Sequence, residues 1–366
     1  MKKLSLLVIS VILFSGCATT RKPDNRNLKI TYLDDFVLEQ GLEIDGTKVG
    51  GLSGIDYYDN TYFLVADQPS NPRIYKAKIS LVNRSIDTVI LSEVIRLDKE
   101  EAFFQESTPD LEGIRFNGET GEIALSSEGS IQNGKDPSLF HISSEGEFLF
   151  HYEIPEYFKA TGEQKPRNNG VFEGLAESVD KTGYWVAMEL PLEKDGPKPK
   201  IYPTNSPVRF TKFSKENRKA ERQFAYKLDG ISKIPINWFA VNGVTEILEY
   251  AEDKFLVLER AYSAGYGSHG NTVKIFEVDA SKTTNTLNFE NLKKEDYTPA
   301  VKRLIFDFKS VKDFLGEGII DNLEGMAFGP VLPNGKQSLV LVSDDNFSSF
   351  GHQITQFILL EIAFKN

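Results

Sequence analysis

Short apolar runs bounded by turn residues recur along this chain, and few segments show the spacing of an amphipathic helix. One stretch contains four strand-like segments, at positions 113–116, 122–126, 138–142 and 147–154. Two short helical candidates, 214–222 and 291–296, are interpreted as insertions, and the Pro- and Lys-rich stretch 191–207 as a long loop. The pattern predicts an all-β fold.

A repeated unit organises these strands. It consists of a polar residue, usually Glu, followed by Gly, an aliphatic residue and then a strand that ends in an acid. The polar residues that mark its five copies are Ser53, Glu112, Glu173, Glu246 and Glu324. The copy at Glu246 is the weakest, because it lacks the glycine. Each interval between markers accommodates about four strands, which is the size of one antiparallel propeller blade.

The two ends of the chain are predicted to complete one blade together. The fifth copy runs out of chain after three strands, and positions 28–38 form a strand without an obvious partner. Pairing these segments closes the ring and removes exposed sheet edges. We therefore predict a single β-propeller domain over 28–366, with five blades favoured and six left open in case a long interval hides a degenerate blade.

The first residues predict export. Lys2 and Lys3 precede an apolar run at 4–14, which is too short to span a bilayer, and the run is followed by Ser15-Gly16-Cys17. We expect a signal peptide at 1–16, acylation of Cys17 and a polar tether over 17–27. The protein would then be lipid-anchored in the cell envelope, facing the periplasm or the exterior. An ordinary secretory signal with an incidental cysteine is the alternative.

Composition limits the partners. Lys and Arg total 42 against 53 Asp and Glu, a formal charge of −11, which argues against nucleic acid as a partner. An acidic surface is also repelled by anionic membranes, so we expect membrane contact through the lipid alone. We expect a monomer that binds cations or a small anionic ligand bridged by cations. Cys17 is the only cysteine, so the domain contains no internal disulfide.

The repeat places acids where strands begin and end near the propeller axis, so these acids should converge on one mouth of the central channel. Oxygen-only ligands favour Ca²⁺, with Mg²⁺ as an alternative. The candidate metal ligands are Asp67, Glu112, Glu128, Glu173, Glu189, Glu246, Glu259, Asn322, Glu324, Asp344, Asp345 and Asn346. In the alternative interpretation, each acid braces a turn by accepting backbone hydrogen bonds.

Three further side chains are candidates for catalysis. Arg260 and Arg73 could neutralise a phosphate or carboxylate, and His352 could act as an acid or base at the rim. Because Arg260 directly follows Glu259, strand alternation turns the two to opposite sides unless a bulge intervenes. Pairing with a neighbouring acid is the alternative role for Arg260. The four histidines show no zinc-ligand spacing.

Six motifs resemble the family named for the esterase-like activity of phytase. They are Gly50-Gly51-Leu52-Ser53-Gly54, Asp110-Leu111-Glu112-Gly113, Asn169-Gly170-Val171-Phe172-Glu173-Gly174-Leu175, Leu256-Val257-Leu258-Glu259-Arg260, Asp321-Asn322-Leu323-Glu324-Gly325 and Ser343-Asp344-Asp345-Asn346-Phe347. The resemblance implies a propeller and suggests hydrolysis of phosphoesters or esters. Propeller phytases, which are similar in design, hold Ca²⁺ in an acidic channel. Two function classes stay open: a metal-dependent hydrolase, and a non-catalytic cation-dependent binding module of the cell envelope.

Overall fold

A computed structural model describes residues 27–348 and 351–365. Its first strand is β1 (Asn27–Val37), which is followed by a small hairpin of β2 (Glu43–Ile44) and β3 (Thr47–Lys48). The predicted signal peptide, Cys17 and nearly all of the tether lie outside the described residues.

Four blades follow in chain order, each a four-stranded antiparallel sheet. Blade one contains β4 (Leu52–Tyr58), β5 (Thr61–Ala66), β6 (Arg73–Val82) and β7 (Ser85–Arg96). Blade two contains β8 (Leu111–Phe116), β9 (Ile123–Ser127), β10 (Ser138–Ile142) and β11 (Phe148–His151). Blade three contains β12 (Phe172–Glu177), β13 (Gly183–Met188), β14 (Pro207–Ser214) and β15 (Ala220–Lys227). Blade four contains β16 (Ala240–Ala251), β17 (Lys254–Ser263), β18 (Asn271–Asp279) and β19 (Val301–Asp307).

Blade five closes the ring. Its strands are β20 (Asn322–Val331), β21 (Gln337–Asp344) and β22 (Gln356–Lys365), and β1 pairs with β22 as the fourth. The prediction of five blades joined by the two chain ends is therefore confirmed. The innermost strands β4, β8, β12, β16 and β20 contact one another in a closed circle. Apolar clusters fill the space between neighbouring blades.

Helical structure is limited to short pieces in the described ranges. The single α-helix, α1, is Ala102–Glu106. The 3₁₀ turns are Ile131–Asn133, Glu156–Phe158, Gly267–His269, Leu292–Lys294, Phe308–Ser310, Lys312–Phe314, Gly316–Gly318 and Asn346–Ser348. The helix expected at 214–222 is instead the turn between β14 and β15, and the one expected at 291–296 is reduced to a single 3₁₀ turn. No helix in the described part of the chain has the length and apolar character needed to cross a bilayer.

Candidate metal centre at the channel mouth

Each blade carries the same irregularity at the start of its innermost strand. In blades one, four and five the pairing register shifts by one residue, at Ser53, Thr245 and Glu324. Blades two and three have the same shift beside Glu112 and Glu173. A bulge of this kind re-aims one side chain per strand. The ring of bulge positions therefore consists of Ser53, Glu112, Glu173, Thr245 and Glu324.

A second ring comes from the neighbouring strand of each blade. The residue before the bulge pairs with Ala66, Ser127, Met188, Glu259 or Ser343. The next residue along that strand occupies an equivalent place in every blade. These five residues are Asp67, Glu128, Glu189, Arg260 and Asp344. Four blades thus present an acid at this place, and blade four presents a guanidinium.

All members of the two rings except Ser53 and Thr245 line a cavity of about 610 Å³. Of the ten acids expected to converge, seven line it: Asp67, Glu112, Glu128, Glu173, Glu189, Glu324 and Asp344. Asn322, Asn346, Arg260 and His352 also contribute to its wall. The Asn322 amide donates to Glu324 Oε1 at 2.9 Å, and the Asn346 backbone N–H donates to Asp344 Oδ1 at 2.6 Å. The expected convergence is therefore largely present, with the exceptions described below.

Two overlapping groups of carboxylates are close enough to share a cation. Glu112, Glu128 and Glu173 each offer an oxygen within 4.8 Å of the others, and so do Asp67, Asp110 and Glu112. Glu112 belongs to both groups. Asp110 was not among the predicted ligands, although it stands two residues before Glu112 in the repeated motif. Oxygen donors from several carboxylates suit Ca²⁺.

The carboxylates resist ionisation in the absence of a cation. Burial raises the pKa of Asp67, Glu112, Glu128 and Glu173, and repulsion from neighbouring acids raises each of them further. Glu128 reaches a pKa of about 8, even though its carboxylate accepts backbone hydrogen bonds from Gly170 and Val171. Burial also raises the pKa of Glu189 to about 7. A bound cation would reverse these shifts, because it favours the ionised form.

Arg260 lies within this acidic cavity. Its Nη2 is 3.0 Å from Glu324 Oε1 and 3.7 Å from Glu189 Oε1, and these acids raise its pKa against the opposing effect of burial. Its Nε has no hydrogen-bond partner among the described residues, and neither does the Oδ1 atom of buried Asn271, which also lines the cavity. Buried polar atoms without partners are costly. Both therefore suit contact with a ligand.

The structure corrects the expected register of blade four by one residue. Glu246 occupies the place of the repeat glycine, and its carboxylate accepts backbone hydrogen bonds from Leu175 and Ile247, both at 2.9 Å. It also forms an ion pair with Arg115 at 3.1 Å. Glu246 therefore does not line the cavity. Thr245 stands at the place that Glu246 was expected to fill.

Glu259 also faces away from the cavity, because the register of blade four differs from the expected one by one residue. Its oxygens accept hydrogen bonds from Tyr226 Oη, from Lys302 Nζ at 2.6 Å and from Asn242 Nδ2 at 2.8 Å. The bulge at Thr245 gives Arg260 the place that the repeat assigned to Glu259. Strand alternation then turns Glu259 into the blade.

Asp345 and Arg73 also lie outside the cavity, contrary to expectation. Asp345 Oδ1 accepts backbone hydrogen bonds from Gly51 at 2.9 Å and Phe347 at 3.0 Å, which is the bracing role considered as the alternative for each acid. Arg73 is fully buried. Its guanidinium donates to Tyr75 Oη, Gln68 Oε1 and two backbone carbonyls at 2.6–2.7 Å, so blade one uses it internally.

His352 stands at the cavity rim, about half exposed, with Nε2 2.7 Å from Glu317 Oε2. It is the one predicted catalytic residue besides Arg260 that borders the cavity. Its imidazole is accessible to a bound ligand, and Glu317 holds it in place.

The fold and the site together define an all-β propeller whose ring closes between the chain ends and whose channel mouth is acidic. The chain belongs to the phytase-like family described as esterase-like activity of phytase, whose family model matches residues 47–347. The resemblance carried by the sequence motifs is thereby confirmed. The family suggests a hydrolase-type function. No curated protein matches the sequence.

Solved structures share the general shape at low similarity. A luciferin-regenerating enzyme is 13% identical, with 87% of this chain and 81% of that chain covered and a TM-score of 0.37. An exo-1,5-α-L-arabinanase from a bovine ruminal metagenomic library is 9% identical, with coverage of 89% and 100% and a TM-score of 0.42. A mannose phosphorylase from Leishmania mexicana is 10% identical, with 88% coverage of each chain and a TM-score of 0.41. Similarity this low transfers no function.

Proposed function

We propose that this chain is a cation-dependent hydrolase of phosphoesters or carboxylic esters, with Ca²⁺ as the cation and Mg²⁺ as the alternative. One observation carries the proposal: a single cavity holds a three-carboxylate donor set and, across the same ring, an arginine with an unpartnered nitrogen. The first suits a hard cation, and the second suits an anionic oxygen. Membership of a family with hydrolase-type function supports the same conclusion.

The cation would be held by Glu112, Glu128 and Glu173, and the group of Asp67, Asp110 and Glu112 could hold a second one through the shared Glu112. When bound, such a cation polarises a phosphoryl or carbonyl oxygen and lowers the pKa of a bound water. Arg260 orients the anionic part of the substrate, and its two acidic neighbours hold the guanidinium in position. His352, fixed by Glu317, is the proposed proton donor or acceptor at the rim.

A calorimetric titration with Ca²⁺ tests the metal centre. We expect the native domain to bind Ca²⁺ and Glu173→Gln to bind it at least tenfold more weakly, since one of three shared ligands loses its charge. Glu147→Gln, an exposed acid in a turn of blade two, is the matched control and should bind as the native protein does. Absence of Ca²⁺ and Mg²⁺ binding by the native domain would overturn the proposal.

A hydrolysis screen tests the reaction. The metal-loaded protein is assayed on phosphomonoesters, phosphodiesters and carboxylic esters, with Arg260→Gln and Glu173→Gln as inactive references. Turnover that both substitutions abolish supports the hydrolase. Cation binding without any turnover would instead favour the binding module, for which a cation site and Arg260 suffice.

We also propose that the protein is lipid-anchored in the bacterial cell envelope through Cys17, as a monomer whose ligand is a small anion and not nucleic acid. The proposal rests on the N-terminal sequence and on the acidic composition. Replacing Cys17 with Ser should abolish labelling by a radioactive fatty acid. Unchanged labelling would contradict it.

A further inference from the structure

Blade four continues past the ring and forms one wall of the cavity. Its strand β16 starts five residues before the bulge at Thr245, whereas the first strands of the other blades start one or two residues before theirs. On β17, Tyr262 lies two residues beyond Arg260 and therefore on the same face. Val241 pairs with Tyr262, and Phe239 contacts its ring at 6.3 Å between centroids. Phe239, Val241 and Tyr262 all line the cavity.

The segment that leads into this wall exposes large apolar side chains. Ile234 is 71% exposed, Ile236 62%, Trp238 97% and Phe239 56%. We call these four residues the apolar rim. Phe239 belongs to both the rim and the cavity wall, and it connects the rim segment to the acidic site. A cluster of exposed apolar groups at the mouth of a binding cavity is typical of an interaction site.

The backbone of the rim is fixed. The Ile236 N–H donates to the Ala264 carbonyl, and the Ala264 N–H donates to the Phe239 carbonyl, both at 2.9 Å. Tyr266 Oη donates to the Ile234 carbonyl at 2.8 Å. Trp238 adopts φ of +59°, a conformation that bulky residues rarely take. A strained residue held by an ordered backbone favours a functional role for the displayed side chain.

The polar groups at the base of the wall complement the apolar groups at its top. Arg260 and buried Asn271 each have an unpartnered polar atom there, and Lys198 lies on the same cavity surface. From Arg260 to the end of β17 at Ser263 the wall rises by about 10 Å. We propose that the wall and the apolar rim bind the hydrophobic part of an amphiphilic substrate, a single phosphoester or ester molecule with an alkyl, acyl or aryl group. Its anionic head would lie at Arg260. The identity of the head group rests on the proposed function.

Fluorescence gives a readout that does not depend on activity. The chain has two tryptophans, the exposed Trp238 and Trp185, which is 1% exposed. The full chain is titrated in Ca²⁺ with dodecyl phosphate kept below its micelle concentration, with inorganic phosphate, and with neutral phosphatidylcholine vesicles. We expect dodecyl phosphate to shift the emission to shorter wavelength and to reduce acrylamide quenching several-fold. Trp238→Phe should lose this response. Inorganic phosphate should cause neither change.

Affinity measurements locate the contact. In Ile236→Ser/Trp238→Ser, the ratio of dodecyl phosphate affinity to inorganic phosphate affinity should fall about tenfold, because two apolar contacts are lost. Ile90→Ser, on the outermost strand of blade one, where Ile90 is 58% exposed, is the matched control and should keep the native ratio.

Three outcomes would overturn the apolar subsite: an unchanged affinity ratio in the double variant, a fluorescence response to vesicles alone, or a native dimer that the double variant dissociates. The first would show that the rim makes no contact, the second that it docks on a membrane, and the third that a second copy covers it. A Trp238 response that persists in a protein without turnover would support the subsite while contradicting the hydrolase. Failure of the two proposals can thus be told apart.

Discussion

Blade four and the other blades have the same backbone at the channel mouth but present different chemistry there. At the bulge position blades two, three and five carry Glu, whereas blade four carries Thr245; on the adjacent strand four blades carry an acid and blade four carries Arg260. Blade four also supplies the aromatic wall. The comparison shows that propeller symmetry provides equivalent places, and that departure from the repeat in one blade creates a site with two unlike sides.

The buried carboxylates of the cavity should make the stability of the cation-free protein depend on pH. This is the largest effect we expect. Folded-state pKa values of about 8 for Glu128 and about 7 for Glu189 exceed the unfolded value near 4.5. The resulting stabilisation is full below pH about 4.5 and is lost as the pH rises toward 8, by roughly 1.4 kcal/mol for each unit of pKa difference. Glu128 accounts for a loss of about 5 kcal/mol and Glu189 for about 3 kcal/mol, so the total should be on the order of 8 kcal/mol.

Urea unfolding at several pH values, with and without saturating Ca²⁺, checks this prediction. Calcium should flatten the pH dependence, because it stabilises the ionised carboxylates. A cation-free protein whose free energy of unfolding stays constant from pH 5 to pH 8 would contradict the prediction that ionisation of the buried carboxylates destabilises the fold.

The second prediction concerns the glutamate that only blade four has at the glycine position. Arg115→Met should lower the free energy of unfolding by about 3 kcal/mol, since it leaves the buried Glu246 without its ion-pair partner. The double variant Arg115→Met/Glu246→Met should recover much of this loss. Guanidinium unfolding of the native protein, both single variants and the double variant measures the coupling. Additive effects would show that the two residues act separately.

The third prediction concerns calcium, which should stabilise the folded state by slightly less than the effect expected for Arg115→Met. At one hundred times the dissociation constant, binding adds about 2.7 kcal/mol and raises Tm. Glu112→Gln should remove this rise, because Glu112 belongs to both carboxylate groups. The same substitution should raise Tm without calcium, since it relieves repulsion. Thermal melts with and without Ca²⁺ test both directions. A rise in Tm with Ca²⁺ that persists in Glu112→Gln would show that calcium binds at a different site.

The smallest effect concerns Arg260. Replacement by Lys keeps the charge but loses the planar pair of donors, so inorganic phosphate should bind about tenfold more weakly, or roughly 1.4 kcal/mol. Calcium affinity should change little by comparison. Calorimetry with phosphate in the presence of Ca²⁺ measures the difference. Equal phosphate affinity in the native protein and in Arg260→Lys would indicate that Arg260 only pairs with Glu324 and does not bind phosphate.

Much of this arrangement was predictable from the repeat. The spacing of the Glu-Gly pairs gave the blade number, the strand at 28–38 predicted the closure, and seven acids were correctly expected at the mouth. These features depend on periodicity, which sequence records directly.

The errors have local causes. A bulge inserts one residue without changing the apolar pattern, so the missing glycine of blade four left its register undetermined by one position, and Glu246 and Glu259 were misplaced. Arg73 donates to the distant Lys48 carbonyl and Asp345 accepts from the distant Gly51 N–H, and no motif reveals either contact. Asp110 was missed because it precedes the repeated unit, which begins at Glu112. The apolar rim was not predicted because it lies mainly in an irregular segment between strands, where residues follow neither the helical nor the strand period.

Arg115 and Glu246 also bear on how molecules move through the protein. Arg115 belongs to blade two, yet its guanidinium donates to the carbonyls of Ile55 in blade one and Ile247 in blade four, while Glu246 accepts from Leu175 in blade three. Contacts between blades that are not neighbours must cross the axis, so the pair forms a floor beneath the acidic cavity. Under the proposed hydrolase function, a product would leave the cavity through the same mouth by which the next substrate enters. If the hydrolysis screen detects turnover, we expect the anionic product to inhibit competitively in steady-state kinetics.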